Sequence, residues 1–432
     1  MRELRLHPDN VHLGYSSFTE VDGRLEQYGY LARLVFNPSP SQGLPLTARY
    51  DLVDVTNLID PSKSNKIEAA GDELVIVPEP LHVGELRAFS GDGSEVTYVG
   101  LSVESSNIDV FAANLLTGAV RRLTSHPEYI DPVQHSPNDQ WLAIMDTRTT
   151  DRQMWLAGMR NIPPLTDIIT TPAVASTRNN GKRRFFRPFL LDRWGDRGDY
   201  YGQRINAEGS GIPGSGDFND PEWNGRADPM WSPDSEQVVY WESQTVSPAC
   251  GGQNPLPCYP PTEPDGAIHR AVLATFTSRT PTSPVDVVEI PDIIPWGVPY
   301  VPGEAQPRRS FPPAGTYTLQ GAASGYANVT LASDEPDGPL NHVSVSYHDF
   351  SDNGIDVLMG TENTTSTNLN ATTSLVDWYS DLTQTGSYTS TKKTGPGGFH
   401  LTIDVLLNVF QATGTLTTTI DGFEYLQPLN GA

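Results

Sequence analysis

Only two cysteines occur in 432 residues, so covalent cross-links do not hold this chain together. They are Cys250 and Cys258, in SPACGGQNPLPCYPP. The pair either staples one short loop, which implies an oxidising compartment, or stands as two free loop thiols. No apolar run reaches the ~18 residues that a membrane helix needs. Basic residues are scarce: 28 Lys and Arg face 52 Asp and Glu, for a net charge of −24. A surface this acidic repels nucleic-acid phosphates and anionic lipid. A local arginine cluster can still hold a small anionic ligand. GxSxG, a P-loop, a GxGxxG after a strand and HExxH are all missing. The nine histidines are scattered, and His7, in a turn, reads as solvent-facing. No metal or other cofactor is called for.

Turns are abundant. Gly (38) and Pro (37) together suit many short strands rather than helices. Four turns share one form: HPDN from His7, SGDG from Ser90, SPND from Ser136 and SPDS from Ser232. Pro presets φ, and Asp or Asn bonds back to its own backbone. Each turn precedes a β-branched or alternating apolar run, as in SEQVVYWES. The turns recur 83, 46 and 96 residues apart, close to two, one and two units of a four-stranded propeller blade. This spacing predicts a six- or seven-bladed β-propeller with degenerate blades near 50–60 and 184–206.

The propeller pattern covers residues 1–300. Pro291 to Pro313 is Pro-rich and reads as a linker or a strap along the propeller surface. Residues 301–432 are then linker plus a Thr-rich C-terminal β-sandwich of seven or more strands. After Phe311 there are twelve acidic and two basic residues, so the arginines belong to the propeller. The sequons at Asn328, Asn363 and Asn370, with the cysteine pair, point to an extracellular protein. MRELRLHPDNVHLGYSSF has no apolar signal-peptide core and begins inside a blade strand, so the chain is expected to continue upstream of Met1.

Blade topology sorts the loops. The four turns share one face. The loops before each first strand and after each second strand share the other, around the channel mouth. There the sequence places Glu128, Glu222, Glu242 and Asp146, the carboxylates a glycosidase needs. Arg148 and Arg152 suit a uronic acid through their forked donors. Trp223 offers a stacking platform, and His126 and Asp228 lie in the same loops. Asp131 and Asp228, each before Pro, also suit plain turn capping. Trp194 belongs to RPFLLDRWGDRGDYYGQRINAEGSG, read as a distorted blade or an insertion over the mouth.

SPDS-EQVVYWES and SGDG-SEVTYVG resemble the repeat of TolB-type, WD40-like propellers. Longer stretches resemble the fungal secreted saponin hydrolases: IDVFAANLLTGAVRRLTSHPEYIDP, NDPEWNGRADPMWSPDS, VSPACGGQNPLPCY and GFHLTIDVLLNVFQATGTLTTTIDG. That resemblance spans essentially the whole chain. It implies a secreted glycoside hydrolase removing a glucuronic-acid-linked sugar chain from triterpenoid saponins such as soyasaponin, without a cofactor. It supplies no residue-level motif for catalysis. The implied partner is a small-molecule glycoside, not nucleic acid or a membrane. A non-catalytic carbohydrate- or protein-binding propeller and an oligouronide lyase are the alternatives, and product analysis separates the three.

Overall fold

The computed structural model describes the chain except residues 22–23, 178, 181–182, 185, 227, 245–267, 308, 405–408, 429 and 431–432. Cys250 and Cys258 lie outside the described residues.

The four turns form as the sequence predicts, and by one geometry. The backbone N–H of His7, Ser90, Ser136 and Ser232 donates to the carbonyl five residues on, at 2.8–2.9 Å. The fourth residue of each (Asn10, Gly93, Asp139, Ser235) takes a positive φ between 55° and 75°. At Asp9 and Asp92 a carboxylate oxygen accepts backbone N–H groups of the departing strand. That is the bond Asx residues offer a tight turn.

Each turn opens a small antiparallel sheet. The first contains β1 (Arg2–Leu6), β2 (His12–Val21), β3 (Arg24–Asn37) and β4 (Arg49–Asn57). A hairpin, β5 (Ile67–Ala70) and β6 (Glu73–Ile76), follows. The second sheet is β7 (Glu85–Phe89), β8 (Glu95–Val99), β9 (Val110–Asn114) and β10 (Val120–Arg122). The third begins with β11 (Ile130–His135) and β12 (Trp141–Asp146). The chain then departs through α1 (Met154–Ala157), α2 (Asp167–Thr177) and a hairpin, β13 (Asn179–Asn180) and β14 (Arg183–Arg184). It returns as β15 (Arg187–Asp192) and β16 (Gln203–Arg204) to finish that sheet. The fourth is β17 (Trp223–Gly225), β18 (Met230–Trp231), β19 (Gln237–Gln244) and β20 (Ile268–Thr275).

The turn spacing predicts six or seven blades; the described residues form four such sheets. The two long spacings hold excursions, not extra units. Residues 50–60 are mostly the outer strand of the first sheet, and 184–206 contain the outer strands of the third. Apolar contacts join neighbouring blades. Leu31, Leu86, Phe89 and Tyr98 bridge the first two, and Val110, Ile130, Val133 and Phe189 the next two.

The axis is ionic. Arg87 of β7 pairs with Glu85 at 2.5 Å, with Glu3 of β1 at 3.2 Å, and with Asp131 of β11. Arg5 of β1 pairs with Asp228, just before β18, and so joins the fourth sheet to the first. Burial alone lowers the Arg87 pKa, but Glu85, Glu3 and Asp228 outweigh it and raise it. Asp131 and Asp228 therefore tie blades together.

A strap laces the turn face. Thr282 N–H bonds the Asp234 carbonyl, Val285 that of Pro137 and Val288 that of Asp92. Asp292 then meets Arg33 and His12. The strap visits the four blades in reverse order and ends as β21 (Val298–Pro299), paired with β4. It lies along the propeller surface, as its proline content predicts, but starts before Pro291.

The C-terminal β-domain is a meander: β22 (Gly315–Gln320), β23 (Ser324–Ala332), β24 (His342–Ser351), β25 (Val357–Asn368), β26 (Thr373–Thr385), β27 (Ser390–Asp404), β28 (Val409–Ile420) and β29 (Phe423–Leu426). Neighbours pair in chain order, and β6 and β5 extend the sheet beyond β22. Burial alternates along the strands, the mark of one covered face. That face packs on the excursion from the third blade: Trp155 and Leu156 meet Trp378, Phe399 and Leu401, while Leu165 and Ile169 meet Val329, Val345 and Tyr347. The fold is all-β, a propeller followed by a C-terminal sandwich-type domain.

Arg87→Ala is expected to lower the unfolding free energy by about 3–5 kcal/mol, because it leaves the buried Asp131 and the half-buried Glu3 and Glu85 uncompensated. Urea unfolding measures this. A loss near zero would mean that the axial network does not join the blades.

Candidate functional site

The mouth face carries a cleft of about 1020 Å³ between the propeller and the C-terminal sheet. Its propeller side is built from the loops that topology assigns to that face: Arg2 and Glu85 at the starts of first strands, Ser102 after β8, Tyr129 before β11, and Glu26 and Gln27 from the β2–β3 hairpin. The opposite wall is α2 and the loops around Pro336 and Ala371. The hairpin reaches across, with the Leu25 N–H donating to the Ala371 carbonyl at 3.2 Å. The excursion docks the C-terminal sheet through Gln384 Nε2 on the Arg160 carbonyl (2.9 Å) and Asn161 Nδ2 on Asp356 (3.0 Å).

The cleft walls are largely apolar, with Phe18, Leu25, Leu101, Ile168 and Phe311 among them. Cations and carboxylates sit among these side chains. Lys66 is buried, its Nζ 3.4 Å from the Pro78 carbonyl. Burial, then Arg122, lowers its pKa to about 8, so it is still mostly charged at neutral pH. Arg309 lies over the Phe311 ring at 5.2 Å, and its Nε has no hydrogen-bond partner. His82 is buried, and its Nδ1 is unpartnered. Burial, then Arg309, pushes its pKa down to about 3, which keeps the ring neutral.

Asp167 opens α2. Its Oδ1 accepts from Ser102 Oγ at 2.7 Å, and both oxygens accept from the Ser106 N–H at 3.1 Å. Burial raises its pKa despite these bonds. Glu26 accepts from the Tyr28 hydroxyl at 2.9 Å.

None of the sequence-predicted residues lines this cleft. Glu128 is next to Tyr129, but its carboxylate turns inward to Thr147 Oγ1 and the Gln153 N–H (3.1 Å). Burial raises its pKa far above the usual carboxylate range. Asp146 binds the Arg148 side chain and its backbone N–H at 2.7 Å; burial, against Arg148, leaves its pKa near about 6. Arg148 also grips Asp196 at 3.0 Å and the Tyr201 carbonyl at 2.6 Å. Arg152 Nε donates to the Thr177 carbonyl at 2.8 Å, where α2 ends. Glu242 accepts from Asn206 (3.0 Å) and Arg270 (2.8 Å). Glu104 is likewise held by Arg160 and by Arg122.

His126 packs edge-on against Tyr201, and burial, then Arg148, drops its pKa to about 4. Trp223 is covered by the Arg270 guanidinium at 4.1 Å, so that cation occupies a ring face. Trp194 is exposed, but Arg193 beside it pairs with Asp139 of the third turn, so it belongs to the opposite face. His7, read as solvent-facing, is fully buried. Asn328, Asn363 and Asn370 are exposed on the C-terminal domain.

Glu222 differs from its neighbours. It is buried, and neither carboxylate oxygen has a hydrogen-bond partner. Burial, then Asp220, raises its pKa to about 7.

The cleft residues were missed because Lys66, His82, Asp167 and Arg309 carry no local motif. They meet only through the β2–β3 hairpin and α2. Rare buried-type charge in apolar context, as in SNKIEAA, was the available signal.

No family model and no curated protein matches the chain. Among solved structures, it is similar to TolB from Acinetobacter baumannii, at 12% identity and a TM-score of 0.30, covering 82% of this chain and 52% of that one. It thus spans about half the length of that protein. It is similar to the putative TolB from Agrobacterium tumefaciens, at 14% identity and a TM-score of 0.27, over 63% of this chain and 89% of that one. It is also similar to the β-propeller domain of the Trilobed protease from Pyrococcus furiosus, at 9% identity and a TM-score of 0.26, over 98% and 96%. Likeness at this level assigns no function.

Glu222 gives a test of these electrostatics. Its folded pKa, near about 7, stands above the unfolded carboxylate value of about 4.3. The unfolded state ionises first, so Glu222 costs stability progressively as pH rises through that interval. Glu222→Gln is expected to raise the melting temperature at pH 8 and to leave it nearly unchanged at pH 4. An equal shift at both values would show that burial does not hold this carboxyl neutral.

Proposed function

We propose that the chain is a secreted hydrolase of amphipathic glycosides bearing an acidic sugar, such as triterpenoid saponin glucuronides, and that it acts in the mouth-face cleft. The observation that carries this reading is the cleft's composition: a large apolar trough with two cations and a part-buried carboxyl of raised pKa. A polycyclic aglycone matches the apolar walls. Lys66 and the Arg309 guanidinium, both lining the cleft, suit a uronate carboxylate.

In this reading Asp167, whose pKa burial raises, serves as the general acid and gives its proton to the glycosidic oxygen as the bond to the sugar breaks. Glu26 is the second carboxylate, taking a proton from water or attacking the anomeric carbon, as its separation from the acid dictates. Neutral His82 accepts or donates a hydrogen bond to a sugar hydroxyl. The earlier candidates Glu128, Asp146 and Glu242 instead hold loops in place. Exposed sequons on the C-terminal domain accord with secretion.

A second reading, binding without chemistry, draws on one observation. Both oxygens of Asp167 already accept hydrogen bonds where α2 begins, as a helix cap's would.

The experiment is incubation with soyasaponin, followed by mass spectrometry. Release of the intact sugar chain and the free sapogenin is expected, with Asp167→Asn lowering kcat by about 10²–10⁴-fold while the protein stays folded. An unsaturated uronide product means a lyase. Unchanged substrate that nevertheless binds moves the function to recognition.

A further inference from the structure

The first turn gathers three side chains that no part of the proposed reaction uses. His7, Asp9 and His12 each offer one ligand atom, a ring nitrogen or a carboxylate oxygen, and these atoms all lie within 4.8 Å of one another. Asp9 Oδ1 is 3.1 Å from His7 Nδ1, and Asp9 Oδ2 is 2.6 Å from His12 Nδ1. Both rings are buried, while Asp9 is partly open to solvent.

The outer contacts orient both rings. His7 Nε2 lies 2.8 Å from the Gly93 carbonyl, an acceptor only, so that nitrogen carries the proton. His7 Nδ1 accepts the Asp9 backbone N–H at 3.2 Å, so its lone pair faces Asp9, and a bound metal would take the place of that bond. His12 Nε2 lies 3.0 Å from Asp292 Oδ1, again an acceptor. A ligating histidine whose other nitrogen donates to a carbonyl or carboxylate is the usual outer shell of a metal site. The close approach is built in, since a Cβ on Gly93 would lie 2.5 Å from the His7 ring. Asp292 is steadied in turn by Arg33 at 2.7 Å.

We propose that His7 Nδ1, His12 Nδ1 and the Asp9 carboxylate bind one divalent transition-metal ion of zinc type. Two imidazoles and one carboxylate suit such an ion and leave a coordination position for water. On binding, the metal replaces the proton between His12 Nδ1 and Asp9 Oδ2, which is released to solvent. The site sits where three parts meet: the first turn, the second turn through Gly93, and the strap through Asp292. Its metal is a structural clamp on the turn face, remote from the cleft.

The test is titration of chelator-treated, full-length protein with Co²⁺ and then Zn²⁺, read by calorimetry, visible absorption and melting temperature. One Co²⁺ per chain is expected, with visible bands of a low-coordinate site that Zn²⁺ abolishes, and a melting temperature that rises with metal. Asp292→Asn keeps all three ligands and is expected to weaken binding about 10–100-fold. His7→Gln and His12→Gln are expected to abolish it. No binding by the folded native protein overturns the proposal. So does one-equivalent binding that is unchanged in Asp292→Asn and in whichever histidine variant folds.

Discussion

The ionic axis is the constraint on which the rest of the structure depends. Four first strands converge there, and each brings charge: Glu3 and Arg5, Glu85 and Arg87, Asp131, and Asp228 beside the fourth. Buried charges of this kind cost several kcal/mol each unless paired. Apart from Arg87–Glu85 within β7, these pairs run between blades, so charge neutralisation and ring assembly are coupled. An axis filled in this way has its carboxylates and guanidiniums engaged with each other. The proposed ligand cleft lies instead on the flank of the mouth face, where the C-terminal domain overhangs the first two blades.

The excursion from the third blade gives that overhang its position. α1 and α2 leave between β12 and β15 and bury Trp155, Leu165 and Ile169 in the face of the C-terminal sheet. The same segment carries Asp167 into the cleft. Propeller and C-terminal domain are thus joined by packed apolar surface as well as by the strap. The far side is laced by hydrogen bonds between turns: Gly91 N–H to Asp139 and Asn138 N–H to Ser235 Oγ.

What was legible in the sequence was local. Turn chemistry at Ser90, Ser136 and Ser232 announced the hairpins, and topology then put those turns together on one face. Blade count was not legible from spacing, because a hairpin given to the other sheet and a helical excursion lengthen two intervals as extra blades would. Of the candidates, Trp194 lies on the turn face beside Arg193–Asp139, and none of them lines the cleft. Their side-chain directions depend on partners that local sequence does not announce: Glu242 meets Arg270, and Asp228 meets Arg5, 223 positions away. Likewise the burial of His7 follows from its contact with Gly93, in a different blade.

The account's central claim is that ligands bind in the flank cleft and not at the axial mouth. Hydrogen–deuterium exchange with and without soyasaponin tests it most directly. The account predicts slower exchange in the segments 25–27, 101–102, 164–172 and 309–314, which supply lining residues of the cleft. Protection confined to residues 126–152 and 220–244, with the cleft segments unchanged, would contradict it and return the site to the loops of the third and fourth blades.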